Sequence, residues 1–221
     1  MLQILRSLKK LTFILPDVLF KLFDSQIQPI LLYGAEMWGV NDCKCIESVH
    51  MYMLKWYVNV GARTPNTMLY GDTGRYPIVI NAALRSIKYW LRLLRMEESR
   101  YPFQVYQMML KSLNKQMNWA FSVKDLLTKY GFGNEWNNQR VDNESIFVNS
   151  LKERMIYDFN VKWETDVLGS NRYEFYRLVK SVRELDQYLF ALDKKIFRDQ
   201  YVRFRFGISD LYIHRNPYNK S

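Results

Sequence analysis

The segment Leu22–Gly39, LFDSQIQPILLYGAEMWG, and its lead-in from Pro16 decide the fold class predicted for this chain. Its apolar residues recur every three or four positions, which is the pattern of one buried helix face. The polar residues that share the opposite face are Asp17, Lys21, Asp24 and Gln28. Pro29 lies inside this pattern and removes one backbone hydrogen bond, so we expect a kink between Ser25 and Pro29. The segment is predicted to be a kinked, mostly buried helix.

Glu36 is the one acidic residue in the apolar second half of this segment. A carboxylate that is removed from water is costly unless another group donates a hydrogen bond to it. We therefore expect Glu36 to be buried and to pair with an arginine, a lysine or a backbone N–H.

Helical periodicity continues through the rest of the chain. Between Pro77 and Met96 one apolar stripe repeats at intervals of four and three residues, consisting of Ile80, Leu84, Ile87, Leu91 and Leu94. Further helices are predicted after Asn41-Asp42, Ser99, Asn143 and Ser170, which supply N-caps, and Gly61 and Gly131 are expected as left-handed ends. Nine Gly and six Pro leave little material for the turns of an all-β protein. The prediction is an all-α array of eight to ten helices, in one irregular bundle or two sub-bundles.

The domain organisation follows from a stretch rich in glycine and asparagine, GFGNEWNNQRVDN, at residues 131–143. Such composition favours a loop or a linker. We predict a helical region over residues 1–131, a linker over 132–143 and a second helical region over 144–221.

The net charge of +10 favours a polyanionic partner. The excess is concentrated in residues 75–115, with a net charge of +6, and in residues 170–221, with +5. In the first of these segments Arg85, Lys88, Arg92 and Arg95 repeat with the rhythm of the apolar stripe, one position later. On a helix they form a cationic ridge about 100° from that stripe. The ridge would suit a nucleic-acid backbone, and an ordinary solvated helix face is the alternative.

Aromatic and basic residues alternate near the C-terminal end. Tyr173, Tyr176 and Arg183 share a helical face, and Arg203 and Arg205 add charge. Alternation of this kind is used to bind single-stranded nucleic acid, because bases stack on rings while cations contact phosphates. Tyrosines that pack in the core with a bonded hydroxyl would give the same pattern.

Several motifs, in their order and spacing, resemble the region downstream of the polymerase palm in reverse transcriptases of metazoan non-LTR (LINE-like) retrotransposons. They are LFDSQIQPILLYGAEMWG itself, Ile46–His50, Thr64–Asn66, Tyr70–Pro77, Ile87–Trp90 and Phe204–Gly207. The resemblance implies the thumb and the downstream helical region of an RNA-directed DNA polymerase. Its expected partners are template–primer or element RNA and the palm of a longer parent chain. The residues assigned to nucleic-acid binding are Arg75, Arg85, Lys88, Arg92, Arg95, Arg203 and Arg205.

No catalytic residue is assigned, since a reverse transcriptase palm holds two metals on a Tyr-x-Asp-Asp motif that this sequence lacks. Asp72 in Tyr70-Gly71-Asp72 is expected to be a turn or cap residue. Cys43, Cys45 and His50 do not complete a zinc ligand set, so we predict no metal or cofactor and reduced thiols in an intracellular compartment. No apolar stretch is long enough for a membrane span or a signal peptide. The alternative function is a helical structural or interaction protein, or an inactive relic, without nucleic-acid binding.

Overall fold

The structure is a computed structural model that describes residues 14–41, 44–112, 118–192 and 194–208. Of these residues 73% are helical, and no strand occurs among them. Thr73 and Leu185 form an isolated antiparallel bridge. Nine helical stretches of seven or more residues lie in the described ranges. The predicted all-α, multi-helix array is confirmed.

The chain order of the helices is as follows. They are α1 (Pro16–Leu22), a π-helical turn (Phe23–Ile27), α2 (Gln28–Leu31), α3 (Ala35–Trp38), α4 (Lys44–Tyr57), α5 (Asn66–Thr73), α6 (Ile78–Leu94), α7 (Tyr101–Lys111), α8 (Trp119–Lys129), α9 (Gly133–Asn138), α10 (Glu144–Gly169), a 3-10 turn (Asn171–Tyr173), α11 (Glu174–Val179), α12 (Tyr188–Ala191) and α13 (Lys195–Arg205).

The chain folds into two compact units that alternate along the sequence. Of the described residues, unit 1 comprises 14–28, 48–76, 160–192 and 194–208, and unit 2 comprises 29–41, 44–47, 77–112 and 118–159. The sequence instead predicted two consecutive regions joined by a linker at 132–143. That stretch contains α9, whose Trp136 is buried and stacks on Trp90 with ring centres 5.8 Å apart. Burial of this large ring outweighs the loop-forming composition around it.

The kinked helix predicted for Leu22–Gly39 is more strongly interrupted than expected. The N–H of Gln28 donates to the Phe23 carbonyl, five residues back, so a π-helical turn ends at Ile27, two residues before Pro29. Such a turn changes the register of the backbone hydrogen bonds. Gly34 then adopts φ +68° between α2 and α3. The first half is buried as predicted, but Ile30 is 57% exposed and Tyr33 is 86% exposed, so burial of the second half was overestimated.

Unit 2 is organised by the approach of α3 to α6. The Ser86 hydroxyl donates to the Ala35 carbonyl at 2.7 Å, and the Trp119 indole donates to the Glu36 carbonyl at 3.0 Å. Gly39 permits this approach, because a Cβ placed there would lie 2.1 Å from the Ala82 carbonyl oxygen. The apolar stripe of α6 is buried as predicted, with Leu94 at its edge half-buried.

The Glu36 carboxylate differs from its prediction. Within the described residues it has no hydrogen-bond or ion-pair partner, and only its backbone carbonyl is used. Its side chain is half-buried in the four-residue helix α3, so water can solvate it. The expected buried pair was wrong, because the short α3 leaves this side chain at the surface.

The helix ends follow local signals in some places and not in others. Asn118 and Asn143 accept from Ala120 N–H and Ile146 N–H, and Ser170 accepts from Arg172 N–H, so three side-chain caps are present. The predicted left-handed Gly61 is wrong, since Asn59 has φ +55° after α4. The predicted Ser99 cap is also wrong, because α7 begins at Tyr101 after Arg100, without a side-chain cap. Asp42 of the predicted Asn41-Asp42 cap lies outside the described residues.

Candidate nucleic-acid interface

The cationic ridge of α6 is held in place by the burial of the opposite side of the helix. Ile80, Ile87 and Trp90 are all nearly inaccessible to solvent. The Trp90 indole donates to the Tyr106 hydroxyl at 2.9 Å, which fixes the ring from α7. Because α6 cannot rotate without exposing these groups, its outer residues have a defined orientation within unit 2.

The two ends of the ridge are occupied by neighbouring groups. Arg85 is half-buried and donates to the Leu32 carbonyl at 2.8 Å. Arg95 forms an ion pair with Glu144 at 2.8 Å, although its side chain remains 68% exposed. An exposed pair of this kind contributes little and can exchange partners, whereas Arg85 is committed to the backbone.

The middle of the ridge faces solvent. Lys88 and Arg92 are exposed, lie four residues apart on α6 and make no hydrogen bond or ion pair with any described residue. One helical turn, about 6 Å along the axis, separates them. These two residues, with Arg95 beyond them, are the part of the predicted interface that a polyanion can reach in unit 2.

Arg75 is built into unit 1. Its guanidinium forms a two-pronged pair with Asp24, with one contact of 2.7 Å, and lies 5.2 Å from the centre of the Phe20 ring. Only 20% of its side chain is exposed. Arg75 therefore ties α1 and the π-helical turn to the loop after α5, and it is a poor candidate for a nucleic-acid contact.

Arg205 was predicted to contact nucleic acid, but it lies in the interior of unit 1, where a nucleic acid cannot reach it. Its guanidinium bonds both carboxylate oxygens of Asp72 at 3.1 Å and one oxygen of Asp186 at 3.0 Å. Burial alone would lower the pKa of Arg205, but the hydrogen bonds and charges of these carboxylates raise it. Arg203, two residues earlier on α13, is exposed as expected.

Asp72 is the centre of this buried charged cluster and not the turn residue that the sequence predicted. It lies in α5 with no exposed surface and also accepts from the Tyr176 and Tyr188 hydroxyls, each at 2.8 Å. Lys180 completes the cluster by donating to Asp186 at 2.6 Å. Two carboxylates and two cations thus neutralise one another inside unit 1.

The buried environment of this cluster raises the pKa of Tyr176, Tyr188 and Asp186. Burial, reinforced by the Asp72 carboxylate, raises the pKa of both Tyr176 and Tyr188, so the hydroxyls stay protonated and donate. Burial also raises the pKa of Asp186, against the opposing hydrogen bond from Lys180. Gly71 makes room for the Tyr176 hydroxyl, since a Cβ there would lie 2.2 Å from its oxygen.

Sequence reasoning missed the charged cluster because its members are distant in the chain. Asp72 and Arg205 are 133 positions apart. The alternation of Tyr173, Tyr176 and Arg183 instead reflects packing: Tyr173 donates to Thr67 at 3.3 Å, and Arg183 lies 3.8 Å from the centre of the Tyr76 ring. The available signal in the sequence was a lone acid, Asp72, that follows the apolar residues Met68 to Tyr70 and Gly71.

Other site chemistries find no support within the described ranges. No group of three or more His, Cys, Asp or Glu side chains there is placed to hold a metal ion. Among the same residues no helix has the length and apolar character needed to cross a membrane. Cys45 is exposed, and Cys43 lies outside the described ranges.

Comparisons with protein-family models, with curated proteins and with solved structures found no match.

Proposed function

We propose that this chain is a non-catalytic, nucleic-acid-binding segment of the kind found downstream of the palm in LINE-like reverse transcriptases. The outer face of α6, formed by Lys88, Arg92 and Arg95, would hold template–primer or element RNA by its phosphates. The observation that carries the proposal is the exposure of Lys88 and Arg92 on a helix whose other side is fixed. Cations that are already oriented release counterions on binding phosphate without first leaving an internal partner.

A salt titration tests this proposal directly. We expect the double variant Lys88→Ala/Arg92→Ala to bind an RNA hairpin more weakly. Its plot of log affinity against log salt should also be shallower, by about 2 in the magnitude of the slope, since each phosphate contact contributes about 1. The matched control is Arg100→Ala/Lys111→Ala, which removes two exposed charges from unit 2 outside the ridge. Equal slopes for the two double variants would refute a localised interface.

A second variant moves affinity in the opposite direction. Glu144→Gln removes the carboxylate that pairs with Arg95, while the cap of α10 by Asn143 is retained. The guanidinium then becomes available to phosphate, so we expect tighter binding of the same hairpin and a steeper salt dependence. Weaker or unchanged binding would show that Arg95 takes no part.

The alternative is a helical interaction or structural protein without nucleic-acid binding. One observation favours it: Arg75, Arg85, Arg95 and Arg205 all have partners within the fold. If the hairpin binds with the same weak, salt-sensitive affinity to the parent chain and to both double variants, this alternative is preferred.

A further inference from the structure

The helix α13 has an unusual distribution of side chains in unit 1. Its buried side carries Arg198 and Arg205, which are 4% and 5% exposed, together with Val202. Its outer side carries Phe197, 53% exposed, and Phe204, 37% exposed. Aromatic residues normally take the interior and arginines the surface. The internal partners Asp72 and Asp186 explain the buried Arg205, whereas the two rings lie partly exposed at the surface.

The exposed rings form one surface. Phe197, Tyr201 and Phe204 follow at intervals of four and three residues, so they share a face of the helix. Tyr201 is 41% exposed and rests on Tyr188, with ring centres 4.9 Å apart. Phe204 meets Phe175 edge-on at 5.1 Å. We call the three rings the α13 aromatic face; Tyr201 and Phe204 each contact another ring, which limits their motion before a ligand binds.

Cations flank the α13 aromatic face. Lys194, Lys195 and Arg203 are exposed, and the Lys194 ammonium lies 5.8 Å from the centre of the Phe197 ring. Between residues 194 and 208 the one carboxylate is Asp199, which accepts from the Asn59 amide at 2.6 Å. Over residues 194–208 the charges beside the rings are thus mostly positive, which favours an anionic ligand with flat apolar groups.

We propose that the α13 aromatic face binds single-stranded nucleic acid by stacking unpaired bases, while Lys194, Lys195 and Arg203 contact the phosphates. Exposed rings beside cations are the two features that such sites combine. A duplex hides its base faces within its own stack, so it would gain only the phosphate contacts. A second copy of this chain carries the same net charge of +10 and would be repelled from a positive face.

The proposal goes beyond the α6 interface and does not rest on it. The α13 aromatic face belongs to unit 1 and selects unpaired bases, whereas the α6 ridge belongs to unit 2 and recognises any phosphate backbone. The two are distinguishable because Lys88→Ala/Arg92→Ala should weaken duplex and single-strand binding alike.

The experiment measures fluorescence anisotropy of the full chain with a labelled oligothymidylate and with a blunt DNA duplex. We expect Phe197→Leu/Phe204→Leu to weaken oligothymidylate binding by about 5-fold or more per ring, since a stacked base is lost at each. Duplex affinity should change by less than about 2-fold, because the cations remain. The conservative variant Phe197→Tyr/Phe204→Tyr should keep single-strand binding, since it keeps both ring faces.

Controls separate stacking from folding and from self-association. Tyr101→Leu removes a ring that is 83% exposed in α7 and should leave both affinities unchanged. If circular dichroism shows that the double variant does not fold, the single variant Phe197→Leu replaces it in the binding assay, because it alters only the most exposed ring of the face. An equal loss for both probes, or no loss for oligothymidylate, overturns the proposal. Conversion of a dimer to a monomer in sedimentation, with single-strand affinity unchanged, would assign the face to a second copy instead.

Discussion

Replacement of Asp72 by asparagine tests whether the buried charged cluster holds unit 1 together. The substitution keeps the size of the side chain but removes the negative charge that Arg205 faces at 3.1 Å. Asp186 still contacts Arg205, yet it must then compensate both this guanidinium and the Lys180 ammonium. Unit 1 would therefore contain one uncompensated positive charge in a place that water does not reach.

The expected cost is large. Breaking a buried ion pair from one side costs about 3–5 kcal/mol, because the remaining charge stays desolvated. The Tyr176 and Tyr188 hydroxyls donate to different oxygens of Asp72, and the asparagine amide replaces one of these oxygens with an NH2 donor, so one of the two hydroxyls loses its acceptor. A buried hydroxyl that loses its acceptor adds about 1–3 kcal/mol. We expect Asp72→Asn to lower the free energy of unfolding by at least 3 kcal/mol.

The assay is urea denaturation followed by circular dichroism, and Asp24→Asn is the matched control. Asp24 also pairs with an arginine through both oxygens, but its side chain is 45% exposed. Water reaches the Asp24 side of this pair, so the control should cost less than Asp72→Asn. Adding Arg205→Met to Asp72→Asn should recover part of the loss, because the uncompensated charge is then removed. A cost for Asp72→Asn no greater than that of Asp24→Asn would refute the reasoning.

Two further outcomes are expected in unit 2. Gly39→Ala should destabilise the protein by about 1–3 kcal/mol, because its Cβ would overlap the Ala82 carbonyl, while Gly61→Ala, where a Cβ meets open space, should be nearly neutral in the same urea assay. Burial raises the pKa of Tyr106 to about 12. Unfolded tyrosine titrates near 10, so between about pH 10 and 12 the folded chain binds more protons and stability falls as pH rises. In the variant Tyr106→Phe this fall in stability should be smaller, as measured by urea midpoints across that pH range. The variant itself should be less stable than the parent chain at pH 8. An unchanged pH dependence would contradict the raised pKa of Tyr106.

The fold class could be predicted because helical periodicity is a local property. The stripe from Ile80 to Leu91 fixed the orientation of α6 correctly, and Asn143 marked the start of α10. Errors arose where a distant group outweighed local composition. Trp136 forms a helix in a Gly- and Asn-rich stretch because its ring is buried against Trp90, which lies in another part of the sequence.

The sequence predicted where the cations of the candidate site lie, but not which of them are free of partners within the fold and can contact a nucleic acid. Periodicity placed four cations on one ridge, yet it carries no information about which neighbours occupy them. The Leu32 carbonyl and the Glu144 carboxylate approach the two ends of the ridge from other segments of the chain. Arg205 illustrates the same point more strongly, since the residues that bury its charge precede it by 133 and 19 positions.

The number of cations that can contact phosphates determines the salt dependence expected for nucleic-acid binding. If all seven predicted cations contacted phosphates of a duplex, the slope of log affinity against log salt would be about −6, from about −0.9 per contact. The α6 face supplies Lys88, Arg92 and, after release from Glu144, Arg95, which gives a slope of about −3. Binding through this face should therefore be weak and lost at moderate salt. Contact through all seven predicted cations would require the internal pairs of Arg75 and Arg205 to open, and the burial of Arg205 beside two carboxylates opposes that.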